Sequence, residues 1–174
     1  AKNNISASVF LSYKKLDANR ITDSSRVTNG YISSLQTSGY HRTKSEMEDR
    51  GIQQQFVVGG NIAFKYKTLH FGVNAMQYRF TLPIQKDNDP YNIYALHGTA
   101  FRNYSVDYSY TFKNFHLFGE AAAGSKWNTA FVNGVLVSIS AAADISLLYR
   151  NIAAGYQSLY SNAFTENTYP NNEK

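Results

Sequence analysis

From Asn103 onward the chain alternates strictly: Tyr104, Val106, Tyr108, Tyr110 and Phe112 occupy one set of positions, and Asn103, Ser105, Asp107, Ser109 and Thr111 the other. Successive side chains of a strand point to opposite faces, so this pattern predicts a β-strand with one apolar and one polar face. After Lys113-Asn114 the sequence resumes as Phe115-His116-Leu117-Phe118-Gly119-Glu120. A two-residue break between alternating runs predicts a hairpin.

The same alternation recurs along the chain and predicts seven strands. The first, Ile5 to Leu16, sets Ile5, Ala7, Val9, Leu11 and Tyr13 against Ser6, Ser8, Ser12 and Lys14, with Phe10 interrupting the polar side. The second, Gln55 to Tyr66, carries Phe56, Val58, Ile62, Phe64 and Tyr66 on its apolar face and Asn61 and Lys65 opposite. Lys67-Thr68 turns into the third, with Leu69, Phe71, Val73 and Ala75 opposed to His70, Gly72, Asn74 and Met76. The fourth and fifth are the hairpin above, with Leu117 on the apolar side. The sixth, Ala130 to Ile139, presents Phe131, Val135, Val137 and Ile139, broken by Asn133, and the seventh presents Ile145, Leu147 and Tyr149.

Connection length alternates too. Tight turns fall at one end of the strands and long polar segments at the other, which is the habit of outer-membrane barrels. The long segments are 17–54, an extracellular loop or plug; 82–102, a second long loop; and 151–174, a loop leading to further strands. Within the first, Thr43 and Glu46 have capping-box spacing, so "TKSEMEDR" predicts a short helix. Tyr13, Phe56, Tyr66, Phe71, Tyr104, Phe112, Phe115 and Tyr149 lie near strand ends, as the aromatic girdles of a membrane barrel require.

A soluble sandwich or barrel also alternates, but its wet face is usually dense in Lys and Glu. Here the polar faces are mostly Ser, Gly, Asn, Ala and Thr, and the apolar faces carry no charge between strand ends. The expected fold is therefore all-β: an antiparallel up-and-down transmembrane β-barrel with Val9, Leu11, Phe56, Val58, Ile62, Phe64, Phe71, Val73, Val106, Tyr108, Tyr110, Leu117, Val135, Val137 and Leu147 facing lipid. Such barrels have an even strand number, so seven strands imply a partial barrel, a fragment of a larger one.

Composition agrees. Mean hydropathy is −0.40, and no apolar run approaches the ~18 residues of a membrane-spanning helix, which leaves barrel strands untouched. Cysteine is absent, removing disulfides and thiolate metal sites. The net charge of +5 is scattered rather than gathered in a stripe, so no nucleic-acid partner is expected. The "AKNNISASVF" opening lacks the features of a signal peptide, and the chain is expected to be a piece of a longer mature protein.

The Lys113-Asn114 hairpin sets Thr111 opposite His116 and Asp107 opposite Glu120. If Gly124 then faces Ala130, Glu120 faces Gly134, and a fold-back over "SAAAD" brings Gly134 opposite Arg150. That row, with Lys65, His70, His116, Asn61 and Asn74, forms the expected polar network of the lumen. It serves as an internal brace or as the selectivity lining of a pore. Catalysis is not expected, because no Ser-His-acid arrangement has believable spacing; a His within reach of Asp107 or Glu120 at a loop-side cleft is what catalysis needs. Four scattered His make no metal site, and no cofactor is expected. Tyr40, His41, Arg42 and Lys44 are the loop candidates for a partner, or for folding inward so that Arg42 or Lys44 pairs with Asp107 and Glu120.

The phrases "ISSLQTSGYHRTKSEMED", "FVVGGNIAFKYKTLHFGVN" and "LLYRNIAAGYQSLYSNAFTEN" resemble a group of Bacteroidota outer-membrane β-barrel proteins. In that group the barrel often follows an N-terminal helix-hairpin-helix region of the competence-protein type, to which nothing here is similar. The resemblance implies location in the outer membrane, contact with lipid or lipopolysaccharide and possible outer-membrane or periplasmic protein partners. It supplies no settled activity; the roles expected of such a barrel are a channel, transport or secretion-related component, or a membrane anchor with a filled lumen whose loops bind a partner protein or surface glycan. A barrel-embedded hydrolase stands last.

Overall fold

A computed structural model describes residues 4–22 and 30–160. They form one eight-stranded antiparallel sheet. The strands are β1 (Asn4–Ile21), β2 (Tyr31–Gln36), β3 (Gln53–Tyr66), β4 (Leu69–Ile84), β5 (Gly98–Phe112), β6 (Phe115–Gly124), β7 (Thr129–Ser140) and β8 (Ala143–Ile152), with a helix α1 (Lys44–Glu48) between β2 and β3. The order across the sheet is β2-β1-β3-β4-β5-β6-β7-β8.

The count of seven strands is thus corrected to eight. The missed strand, β2, lies inside 17–54, and β1 runs on to Ile21. "YISSLQ" is too short and too polar to show a period of its own. Its edges, not its side chains, are what pair: it runs antiparallel to β1 from Asp17↔Gln36 to Ile21↔Tyr31, across an irregularity at Asn19/Arg20. The second long loop narrows to the residues between Ile84 and Gly98, with a 3-10 turn at Pro90–Asn92. Residues 23–29 and 161–174 of the expected loops lie outside the described residues.

The chain divides into two compact units: 1–10, 59–76 and 102–174 in the first, and 11–58 and 77–101 in the second. In the first, consecutive strands are joined by the tight turns Lys67-Thr68, Lys113-Asn114 and Ala141-Ala142. Exposure is inverted relative to a soluble sheet. On β5 the apolar row Tyr104, Val106, Tyr108, Tyr110 and Phe112 is 45, 39, 39, 39 and 53% exposed, while Asn103, Ser105, Asp107, Ser109 and Thr111 between them are half-buried. β8 is exposed from Ala143 to Asn151 and ends the strand order.

Large side chains in this unit lie over glycines. Tyr108 is opposite Gly119 and Phe118 opposite Gly134, and a Cβ on Gly59 would stand 2.6 Å from the Phe10 ring. Phe10, which interrupts the polar side of β1, is thereby accounted for: it fills the space over Gly59. Asn133, which breaks the apolar row of β7, is likewise answered by the Tyr108 hydroxyl, which donates to its Oδ1 at 3.0 Å.

The second unit is built the ordinary way. β2 pairs with β1 and also meets β4 at Ile32↔Ile84, where Gln85 N–H donates to the Ile32 carbonyl at 2.9 Å. It thus links the two strands that flank β3. Ala18, Ile32 and Leu82 form a core with Leu35 and Ile52 against it, and Phe80 meets Phe101 edge-on at 6.0 Å. Gln53 is fully buried, and its amide bonds both backbone groups of Leu82, donating to the carbonyl at 2.8 Å and accepting from N–H at 3.1 Å. A buried amide satisfied in this way stands in for a peptide of the ladder.

The expected helix forms, with its capping box complete: Thr43 Oγ1 accepts from Glu46 N–H, and the Glu46 carboxylate accepts from Thr43 N–H. Its C-terminal Asp49 ties it down, accepting from Ala18 N–H through the backbone and from Gln36 Nε2 through the carboxylate.

Candidate functional site: a polar ladder on the covered face

The polar face of the first unit is cross-linked rather than merely lined. Asn61 Nδ2 on β3 donates to Asn74 Oδ1 on β4 at 2.7 Å. Asn74 Nδ2 donates onward to Ser105 Oγ at 3.1 Å and to Asp107 Oδ2 at 2.8 Å on β5. The other carboxylate oxygen, Asp107 Oδ1, lies 3.1 Å from His70 Nε2. Four of the expected lumen residues are therefore brought together across three strands, with Ser105 added.

Gly72 makes the geometry possible. His70, Gly72 and Asn74 share one face of β4 by period, and the Asp107 carboxylate occupies the space over the glycine. A Cβ there would stand 2.9 Å from Asp107 Cγ, closer than real Cβ atoms approach. The carboxylate is thus slotted between its two partners, each two residues from the gap.

The other half of the expected network is rearranged. Asp107↔Glu120 and Thr111↔His116 pair as expected, and Thr111 Oγ1 bonds His116 Nδ1 at 2.8 Å. The expected Glu120–Gly134 pairing is incorrect. β6 and β7 pair with Ala122↔Ala130, so Glu120 faces Val132. β7 and β8 are offset from expectation by the same two residues, because their turn tightens to Ala141-Ala142 and the ladder slips between Ser138 and Ser140. Val132 therefore faces Arg150, and Gly134 faces Leu148. The two offsets cancel: Arg150 stays in the row of Asp107 and Glu120, with Val132 rather than glycine between. Gly134 serves the Phe118 ring instead.

Beyond β8 the chain turns back over the strand ends away from the tight turns. Ala153 N–H donates to the Thr129 carbonyl, and Asn103 Nδ2 donates to the Gln157 carbonyl, both at 2.9 Å. Tyr156 is buried in this strap. Burial pushes its phenol above the ordinary value; hydrogen bonding with Asn103 opposes this, and the nearby Glu120 carboxylate reinforces it. Nothing in "NIAAGYQSLY" announced the strap, since it has no period and the contacts that hold it reach 24 and 54 positions back along the chain. Gly72 was more legible, as the one small residue between two polar ones on a polar face.

The expected lipid-facing residues are all exposed or, for Val58, Phe64, Val135 and Val137, half-buried; none is buried. Lys65 is exposed. In the second unit His41 Nε2 lies 2.9 Å from Asp17 Oδ2, the Arg42 guanidinium lies 4.2 Å from the exposed Tyr40 ring centroid, and Lys44 opens α1. Asp17 also accepts from Gly51 N–H at 2.8 Å. That bond, and then the His41 contact, hold the Asp17 carboxyl below the ordinary carboxylate value.

Chemically, the ladder is a carboxylate with both oxygens engaged. The Ser105 hydroxyl accepts from Asn74, not from His70, so nucleophile and base are not joined. The His70–Asp107 pair sits beside the Lys67-Thr68 turn, away from the loop-side cleft that a hydrolase requires. Among the described residues no three His, Asp or Glu side chains converge as a metal centre would need. No protein-family model, curated protein or solved structure matches the chain.

Proposed function

We propose that the first unit is wall of an outer-membrane β-barrel of the Bacteroidota type, and that the protein moves a solute or polypeptide as a channel, transporter or secretion component. The observation that carries the proposal is the inversion on β5: exposed Tyr104, Val106, Tyr108, Tyr110 and Phe112 on one face, half-buried Asn103, Ser105, Asp107, Ser109 and Thr111 on the other. A sheet in water gains by covering its apolar face. A sheet in lipid gains by the reverse, and β6 and β8, at 10 residues each, match the roughly 9–11 residues that span a bilayer.

A second role rests on the cross-linked ladder and the strap. Polar groups that satisfy one another offer fewer free sites to water, His70 and Asp107 staying 39 and 30% exposed. This favours a filled lumen, with the barrel as anchor and the second unit presenting Tyr40 and Arg42 to a partner protein or surface glycan.

Single-channel conductance in a planar bilayer separates the two, using the wild type and Glu120→Gln. Steady conductance whose cation selectivity falls in the variant supports passage. Folded, inserted protein without conductance supports the anchor.

A further inference from the structure

The two tight turns joining β3 to β4 and β5 to β6 share a feature that neither the ladder nor the strap uses. Lys67 and Lys113 each open their turn with a left-handed backbone, at φ of 54° and 53°. Each ammonium lies 5.3 Å from the ring centroid of the residue before it, Tyr66 and Phe112. Both rings belong to the exposed apolar face. Left-handed positions are usually given to Gly or Asn, because a Cβ is penalised there. Lysine at both points to a use for the ammonium.

Both lysines are exposed, and each ammonium bends back over the ring of the residue before it, as cations do over aromatic rings at a boundary between apolar and wet surroundings. The turns are also neighbours: Thr111 N–H, next to Phe112, donates to the Thr68 carbonyl at 3.3 Å. Asn114 fastens the second turn to β7, donating from Nδ2 to the Ser138 carbonyl at 2.6 Å. The carboxylate near this rim, Asp144, accepts from the Ser138 hydroxyl at 2.6 Å. Two positive groups thus stand on adjoining, tethered turns at the margin of an apolar face.

We infer that Lys67 and Lys113 form a headgroup clamp for an anionic phospholipid, their ammonium groups taking its phosphate at the tight-turn margin. The inference rests on the membrane reading above, and names the lipid that reading leaves open. Charge complementarity favours an anionic over a zwitterionic headgroup, each lysine near the surface contributing roughly fivefold in affinity.

The test is partition of the protein into phosphatidylcholine vesicles, with and without one part in three of phosphatidylglycerol, insertion being read by protease protection. The wild type is expected to prefer the anionic vesicles. Lys67→Gln should lower that preference roughly fivefold and the Lys67→Gln/Lys113→Gln pair roughly 25-fold. Lys67→Arg/Lys113→Arg should retain it, as should Lys126→Gln in the β6–β7 connection. A glutamine pair that keeps the wild-type preference, or a Lys126→Gln loss as large, overturns the clamp. Insertion without lipid preference overturns the clamp alone, whereas failure of the wild type to enter either vesicle overturns the membrane reading beneath it.

Discussion

β4 crosses both units, and its two halves solve opposite problems. From Leu69 to Met76 the covered side is His70, Gly72, Asn74 and Met76, and the exposed side is Phe71, Val73 and Ala75. From Gln77 to Ile84 the same face carries Tyr78, Phe80, Leu82 and Ile84, between 5 and 8% exposed, while Arg79 and Thr81 face out. The backbone is continuous, and the face that is covered does not change. On the membrane reading proposed above, what changes is the surroundings each half is built for. The second half hides hydrocarbon from water at about 25 cal/mol per Å². The first leaves its hydrocarbon outside, as that reading expects where the outside is lipid.

The largest expected effect separates those surroundings directly. Val106→Arg puts a charge near the middle of the exposed stripe of β5. In a lipid-facing strand it should destabilise by about 2–4 kcal/mol. Thr81→Arg, exposed in the second unit, should stay within about 0.5 kcal/mol. Guanidinium unfolding of both variants in phospholipid vesicles measures the contrast. Equal, small effects would return the first unit to water and remove the basis of the membrane assignment.

Gly72→Ala comes next and probes what holds the covered face together in the first unit. The added methyl needs the space of the Asp107 carboxylate, so Asp107 must leave His70 and Asn74. Overpacking of this kind costs about 1–3 kcal/mol. The His70 ring resonances should shift with it, since the ring loses its carboxylate partner. An unchanged His70 spectrum would show that the ladder tolerates the methyl and that Gly72 does not shape it.

The two units were unequally legible in the sequence, for a physical reason. Strands of the first unit write their period plainly, because each alternates apolar and polar side chains for ten or so residues. The hairpin register at Lys113-Asn114 followed by counting alone. The β6–β7 and β7–β8 registers did not, since their turn lengths depend on Trp127, at φ 58°, and on the Ser138/Ser140 slip, neither of which alternation encodes. The second unit hid more. β2 contributes one buried side chain, Ile32, and Gln53 looks like a polar loop residue until its amide is seen bonding Leu82. The Thr43–Glu46 capping box was visible because it is a local motif, needing only residues three apart.

The smallest effect concerns acid and should appear in the second unit alone. Asp17 binds Gly51 N–H and His41, and the Glu46 carboxylate binds the N–H groups of Arg42 and Thr43 at 2.6 and 3.1 Å. Both carboxyls are held below their ordinary values, chiefly by these backbone N–H groups, against unperturbed values of 3.8 and 4.5. A carboxyl with a depressed folded pKa contributes stability that is complete above its unfolded value and is lost as pH falls through the folded one. The α1 segment should therefore be fully tethered at neutral pH and loosen as pH falls below about 4, while the strand amides of β6 and β7 keep their protection. Hydrogen exchange at Gly51, Thr43 and Glu46 reports the loosening. In Asp17→Asn/Glu46→Gln the side-chain oxygens still accept but no longer titrate, so the acid sensitivity should disappear even if protection at neutral pH is somewhat weaker. Acid loosening that persists in the double variant would show that the Asp17 and Glu46 carboxyls are not what tethers the α1 segment.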